Sequence, residues 1–257
     1  MIVVHHLNDS RSQRILWLLE ELGVDYEIKR YQRGSPVPYA PPELKAVHPL
    51  GKSPVVTVDG KTIAESGAIV ELLIERFAPD RLAPPRGSDA YIDYIHWLHF
   101  SEGSAMLPLM LKLYTSLLGE AAAPLGPRID AEIANHLGYM EGAIAGRAFF
   151  VGDGLTGADI QLSFTSEAAA ARGPPPPDPE RTRPMQAMQA RPASRRAPEQ
   201  GGPCRGSGGA AGGGGAARGR AGAPPPDPPR RLKAMQARPA YRRALEKGGP
   251  YAYGPKD

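Results

Sequence analysis

The stretch MIVVHHLNDSRSQRILWLLEELGVDYEIKRY, residues 1–31, decides the fold of the first part of this chain. Ile2 to Val4 is a short β-branched run suited to a buried strand. Asn8-Asp9-Ser10 then brings helix-start chemistry. Ile15, Leu18, Leu19 and Leu22 recur at i, i+3, i+4 and i+7, an apolar stripe of helical period, and Gly23 is its natural stop. Tyr26 to Tyr31 alternates polar and apolar residues, as a half-buried strand does. Strand, helix and strand at this length predict a right-handed βαβ unit.

Working outward, residues 32–54 are rich in Pro and Gly, with a short helix over Glu43 to Val47. Val55 to Val58 reads as a third strand and Lys61 to Ala64 as a fourth, joined by the hairpin signal Asp59-Gly60. Ser66 opens a helix whose Ile69, Leu72, Leu73 and Phe77 share one face. The order βαβ-ββα over residues 1–78 predicts an α/β thioredoxin-like N-terminal domain with a mixed four-stranded sheet. Residues 79–88 read as a linker. Residues 89–171 then read as an all-α C-terminal domain, because helical pattern follows helical pattern. Its first helix runs from Asp89 to about Leu118 with a kink expected at Pro108. A second spans Pro127 to Ala145. Thr156-Gly-Ala-Asp159 resembles a capping box, with Leu155 and Ile160 as its hydrophobic staple.

Composition isolates one segment. Residues 165–229 hold 14 Pro and 12 Gly and no Ile, Leu, Val, Phe, Tyr or Trp, so packed structure is not expected there. Its nine Arg against five Asp or Glu match the net +4 of the whole chain, so the basic excess does not mark a folded nucleic-acid surface. Within it, AMQARPASRRAPEQGGP (187–203) repeats AMQARPAYRRALEKGGP (234–250) with Ser194 for Tyr241, Pro198 for Leu245 and Gln200 for Lys247. Two copies do not make a helical array; the first reads as a degraded duplication, a frameshift or a sequencing artefact. The expected organisation is therefore an insert over 172–229, with 230–257 returning as the last helix and tail of the helical domain.

The single Cys204 excludes a disulfide framework within the chain and points to a reducing, cytoplasmic setting. No stretch approaches the roughly 20 apolar residues of a membrane helix, and residues 1–14 lack the order of a signal peptide, so no membrane partner is expected. His96 and His99 lie one turn apart without a third ligand, so no metal is expected. The glycines of 201–222 follow no strand and make no nucleotide loop.

The turn after strand one, Leu7-Asn-Asp-Ser-Arg-Ser12, has no cysteine, which rules out a protein-borne dithiol. It offers instead a hydroxyl at a helix N-terminus, where free N–H groups and the helix dipole favour anions. By itself Ser10 is also a plain helix cap. In Gly51-Lys-Ser-Pro54, a cis Ser53–Pro54 bond would present the Ser53 backbone to an extended peptide; an ordinary loop proline is the simpler alternative. Glu65-Ser66 can cap a helix, or can receive an ammonium and a carboxylate. Together these features suit a small, doubly anionic peptide with a free amine and a thiol.

HHLNDSRSQRILWLLEELGVDYEIKRY, ELKAVHPLGKSPVV and KTIAESGAIVELLIE resemble the N-terminal domain of cytosolic glutathione transferases, in particular serine-type bacterial and fungal members. YIHWLHFSEGSAMLPLMLKLY and FFVGDGLTGADIQLSF resemble their helical domain. The resemblance covers residues 1–164 and resumes at about 230–254. It implies an enzyme that conjugates the glutathione thiolate to electrophilic small molecules in detoxification, with a peroxidase side activity compatible with the same chemistry. It implies that Ser10 hydrogen-bonds the glutathione sulfur, with Ser12 and Asn8 as rivals. By the same resemblance Lys52 meets the glycyl carboxylate, Ser53 beside Pro54 pairs with the cysteinyl backbone, Glu65 and Ser66 hold the γ-glutamyl end, and His48 is a further candidate. Met106, Leu107, Met110 and Tyr114 would line the electrophile pocket, with core packing as the alternative for each. Family members usually form homodimers. Competing readings are a non-catalytic glutathione-binding or assembly module and an inactive product of a damaged gene.

Overall fold

The computed structural model describes residues 1–34, 39–172 and 228–255. β1 (Ile2–Leu7), α1 (Ser12–Leu22) and β2 (Glu27–Tyr31) form the expected βαβ unit, with β1 and β2 parallel. α2 (Glu43–Val47) leads to β3 (Val55–Val58) and β4 (Lys61–Ala64), both antiparallel to their neighbours. The sheet order is β2-β1-β3-β4, and α3 (Ser66–Phe77) completes the thioredoxin-like arrangement. The helix stop and the hairpin follow their residue chemistry. Gly23 takes φ 69° and donates its N–H to the Leu19 carbonyl, and Asp59 and Gly60 both take positive φ between β3 and β4.

The helical domain follows as α4 (Asp89–Phe100), a π-helical turn (Ser101–Ala105), α5 (Met106–Thr115), a 3₁₀ segment (Ser116–Leu125), α6 (Gly126–Ala143) and α7 (Gly157–Arg172). The irregularity nearest Pro108 is a π-helical turn over Ser101–Ala105, in the turn that precedes it. The helical path runs from α4 through this turn into α5 without a break, so Pro108 lies inside it and leaves a carbonyl of the preceding turn without its usual N–H partner. Past Thr115 the path tightens into 3₁₀ turns and breaks at Gly119, next to the expected end at about Leu118. In the first turn of α7, Asp159 does more than close a box. One carboxylate oxygen accepts the N–H and hydroxyl of Thr156, each at 2.9 Å, and the other accepts the Phe150 N–H at 3.0 Å.

The expectation of no packed structure over 165–229 is corrected at both ends. Helix α7 continues to Arg172 and buries Thr165, Glu167, Ala168 and Ala169. At the other end α8 (Pro228–Gln236) begins on two prolines, which the first turn of a helix tolerates. The expectation for residues 173–227, including the first repeat copy and Cys204, lies outside the described residues.

Beyond the insert, α9 (Pro239–Gly248) packs along α1. Tyr241 meets Trp17 edge to face at 5.4 Å. Arg238 pairs with Glu21, and Arg243 and Lys247 pair with Glu20. Burial opposes ionisation of Glu20 and Glu21, but these cations outweigh it and hold both carboxyls below their usual range. With the sheet on one side and α3, α7 and α9 around it, α1 is buried nearly all round, which is why it hides Gln13, Arg14 and Glu20 as well as its leucines. None of the described helices is long and apolar enough to cross a membrane.

Candidate active site

A cleft of about 260 Å³ opens where the thioredoxin-like domain faces α5. His48, Leu50, Lys52, Ser53 and Pro54 line it from the segment entering β3, and Ala64, Glu65 and Ser66 line it from the β4–α3 junction. The Ser53–Pro54 bond is cis, and the Ser53 hydroxyl donates to the His5 carbonyl at 2.9 Å, tying this segment to β1. Glu65 holds φ 69° and ψ 110°, a backbone state that costs a non-glycine residue about 1–3 kcal/mol. A strained residue at a cleft wall is where such a cost is tolerated when it aims a group at a ligand.

Beneath the cleft lies a buried charge system. Arg14 of α1 is completely buried and donates to the Gln161 carbonyl and the Ser66 hydroxyl, each at 2.5 Å, and to Glu102. Gln161 also reaches Ser66 at 3.5 Å. The Ser66 oxygen thus accepts from below, which leaves its own proton to donate into the cleft. Glu102 lies on the π-helical turn and borders the cleft, with Arg11 Nε 2.8 Å from its second oxygen. Burial opposes its ionisation, but Arg14 and Arg11 outweigh that and keep its carboxyl below the usual range.

The three sulfur-activating candidates occupy other places. Ser10 is buried and does not line the cleft; its hydroxyl donates to the Leu7 carbonyl at 2.7 Å and accepts the Ser12 N–H at 3.2 Å. Ser12 is fully buried, with its hydroxyl 2.7 Å from Ser10 Oγ and 2.8 Å from His6 Nδ1. Asn8 accepts the Arg33 N–H at 2.8 Å and faces a second cavity, of about 340 Å³, with His6, Arg30 and Tyr251. Asp9, at φ 50°, turns the chain sharply here, and the residue of this turn that reaches the cleft is Arg11.

Two electrophile-pocket candidates need correcting. Met106 packs in the core with Leu109, Ile133 and Phe164, and Leu107 is exposed and lies outside the cleft. Met110 and Tyr114, one turn apart on α5, do line it. Met106 shares a helix face with Met110 and differs by lying one turn earlier, in the core. Of the histidines on α4, His96 is 3.0 Å from the Tyr139 hydroxyl, and among the described residues no cluster suited to a metal ion occurs.

Sequence reasoning missed Arg11, Arg14 and Glu102. Arg14 carried a readable signal: it shares the i, i+4, i+8 row of Leu18 and Leu22, and a charge on a buried stripe needs a buried partner. Nothing in the sequence identified Glu102 as that partner.

A thioredoxin-like domain without a redox dithiol, joined to an all-α domain across a polar cleft, defines the class of protein to which the comparisons point. Residues 1–75 match the family model for the glutathione S-transferase N-terminal domain. Glutathione S-transferase 3 of Schizosaccharomyces pombe is 38% identical over 184 residues, covering 66% of this chain and 74% of that protein. Glutathione S-transferase 1 of Saccharomyces cerevisiae is 33% identical over 193 residues, covering 67% of this chain and 82% of that protein. A crystal structure of a glutathione S-transferase from Actinobacillus pleuropneumoniae superimposes with a TM-score of 0.72 at 29% identity, covering 98% of this chain and 95% of that one. The chain belongs to the glutathione S-transferase family, and its function is that family's transferase activity.

Proposed function

We propose that this chain is a serine-type glutathione transferase, which binds glutathione in the cleft beside α1 and α3 and directs the thiolate at a hydrophobic electrophile. The observation that carries the reading is the convergence of Lys52, Ser53, Glu65 and Ser66 on one cleft. Lys52 meets the glycyl carboxylate, and Ser53 pairs with the cysteinyl backbone. Glu65 takes the γ-glutamyl ammonium and Ser66 donates its free proton to the neighbouring carboxylate. His48 stands at the same mouth.

The sulfur then lies at the start of α1, where an ordinary thiol pKa of about 8.5 falls under the helix dipole. Ser10 donates to the thiolate, which requires its O–H to rotate away from the Leu7 carbonyl. The thiolate attacks the electrophilic carbon, the C–S bond forms, and the leaving group departs with the displaced electron pair. Met110 and Tyr114 supply the apolar wall for that substrate.

The helical domain is proposed as one domain interrupted by the insert over 172–229, supported by the packing of α9 on α1 and the hydrogen bond between Tyr241 and Glu167. A cytoplasmic homodimer is proposed from family habit, together with the exposed apolar side chains of Leu107, Leu111, Leu117 and Leu118.

The test is Ser10→Ala, assayed on immobilised glutathione and on conjugation of an activated nitroarene. Binding should persist while turnover falls roughly ten- to a hundredfold, the worth of one hydrogen bond to a charged group. Unchanged turnover would move the role to Arg11 or to the α1 backbone. Replacing residues 175–224 by a short Gly/Ser linker should preserve binding and turnover if the insert is dispensable.

A further inference from the structure

Arg11 is the residue of the β1–α1 turn that borders the glutathione cleft, and its side chain is held there from two sides. Its Nε lies 2.8 Å from Glu102 Oε2, and its Cζ lies 5.4 Å from the centre of the Phe164 ring. The side chain is still 26% exposed, so a ligand in the cleft can meet it. The serines on either side are engaged elsewhere. Ser10 donates to the Leu7 carbonyl at 2.7 Å, and Ser12 Oγ is 2.8 Å from His6 Nδ1. We propose that Arg11 is a catalytic residue whose guanidinium meets the glutathione sulfur and stabilises the thiolate, a role that rests on the placement of glutathione by Lys52, Ser53, Glu65 and Ser66 and not on Ser10.

The charges around the cleft favour this assignment. Arg11, Arg14 and Glu102 are two cations and one carboxylate, so together they carry one positive charge beyond neutrality. Arg14 is completely buried and turns its N–H groups to Glu102, the Gln161 carbonyl and the Ser66 hydroxyl. The uncompensated charge therefore faces the cleft through Arg11. Lys52 and Glu65 are each neutralised by the end of the peptide they bind. His48 and Tyr114 are the other titratable groups at the cleft. Glu167 also faces Arg14, but burial pushes its carboxyl up to about 7, so it offsets only part of the cationic charge at neutral pH. A cation within about 4–6 Å lowers the pKa of an acid by about 1–3, and the start of α1 acts in the same direction.

The step balances without a base from the protein. The S–H bond breaks, its electron pair stays on sulfur, and the proton leaves to solvent water at the cleft mouth. Arg11 takes no proton, since a guanidinium stays charged throughout; it offers charge and N–H donors to the sulfur anion. As the C–S bond to the electrophile forms, the anion is consumed and Arg11 is left as it began. Met110 and Tyr114 border the same space, so the sulfur that Arg11 meets also faces the electrophile's wall.

The measurement is the ultraviolet absorbance of the bound thiolate, titrated with pH in the full chain at saturating glutathione. Arg11→Met should raise the titration midpoint by about 1–3 pH units. Its turnover should fall about tenfold or more at neutral pH and recover as the pH is raised. Arg11→Lys should recover most of the shift, because it keeps the charge. S-methylglutathione has no thiol proton to lose, so it should bind wild type and Arg11→Met alike. An unchanged midpoint in Arg11→Met overturns the proposal. Weakened binding of S-methylglutathione overturns it too, because Arg11 would then only shape the cleft. Ser10→Ala is titrated beside it: a rise there without one in Arg11→Met leaves the serine reading standing alone, and the reverse leaves Arg11 standing and removes Ser10. A wild-type chain without a bound thiolate overturns the glutathione placement itself. Should Arg11→Met fold poorly, Arg11→Gln, which keeps a donor for Glu102 and loses the charge, decides by the same midpoint.

Discussion

Tyr241 donates its hydroxyl to the buried carboxyl of Glu167, joining the helix after the insert to the helix before it across 74 residues of sequence. Tyr251 donates to the same carboxyl at 2.6 Å. Tyr241→Phe keeps the ring against Trp17 and removes only the donor. It should cost about 1–3 kcal/mol, the penalty of leaving a buried acceptor short of a partner, and lower Tm by several degrees. Tyr241→Ser copies the residue that the first repeat carries as Ser194. It also empties the ring's site, which should cost roughly 3–5 kcal/mol and expose α9 to limited proteolysis.

Glu167 also sets a pH dependence. Burial outweighs its hydrogen bonds from Tyr241, Tyr251 and Gln236 and pushes its carboxyl up to about 7, from an ordinary 4.5. A raised folded-state pKa means that the group's contribution is fully present below pH 4.5 and is lost as pH rises through 7. The full loss is of order 3 kcal/mol. His6 works in the opposite sense: its pKa is lowered to about 4, so its contribution is present above pH 6.5 and is lost as pH falls towards 4. Glu167→Gln removes the first titration only. The stability difference between wild type and this variant should therefore move in favour of the variant from pH 4.5 to 7 and stay flat above, as read by denaturant unfolding at each pH. A pH-independent difference would show that Glu167 does not titrate in this window.

Most of the thioredoxin-like domain was legible because its signals are local. Gly23, Asp59-Gly60 and the 2- and 3.6-residue periods each act within a few positions of where they are read. Lys52, Ser53, Glu65 and Ser66 could be grouped because two helix starts and a proline mark them. What escaped depended on distance or on direction. Glu102 meets Arg14 across 88 residues, and Ser10 and Ser12 differ from Arg11 only in the side of a turn to which they point. Met106 and Met110 lie one turn apart on α5, yet the first is core and the second lines the cleft.

Gly157 marks the closest approach of α7 to α3 and α4. A Cβ there would lie 2.7 Å from Ile74 Cδ1, Val70 Cγ1 and the Tyr94 hydroxyl. Its N–H also donates to the Leu82 carbonyl at 2.7 Å, so the backbone has little room to retreat. Gly157→Ala should cost about 1–3 kcal/mol by overpacking. The expected readout is a lower denaturant midpoint with an unchanged m-value, and a midpoint equal to wild type would show that α7 can shift away.

The Arg14–Glu102 pair can be tested by asking which partner is worse to lose. Glu102→Gln leaves the Arg14 guanidinium completely buried without a carboxylate, which should cost roughly 3–5 kcal/mol. Arg14→Met leaves Glu102 with Arg11 beside it, so the surviving charge still has a counter-ion and a path to solvent. The double variant Arg14→Met, Glu102→Gln should then be more stable than Glu102→Gln alone, since it no longer buries an unpaired cation. Glutathione affinity should follow a different order. Both variants carrying Arg14→Met lose the donor that holds Ser66, so each should raise the glutathione KM, whereas Glu102→Gln keeps that contact if it folds. Stability and affinity ranking in the same order would mean that the pair supports only the fold and has no separate hold on Ser66.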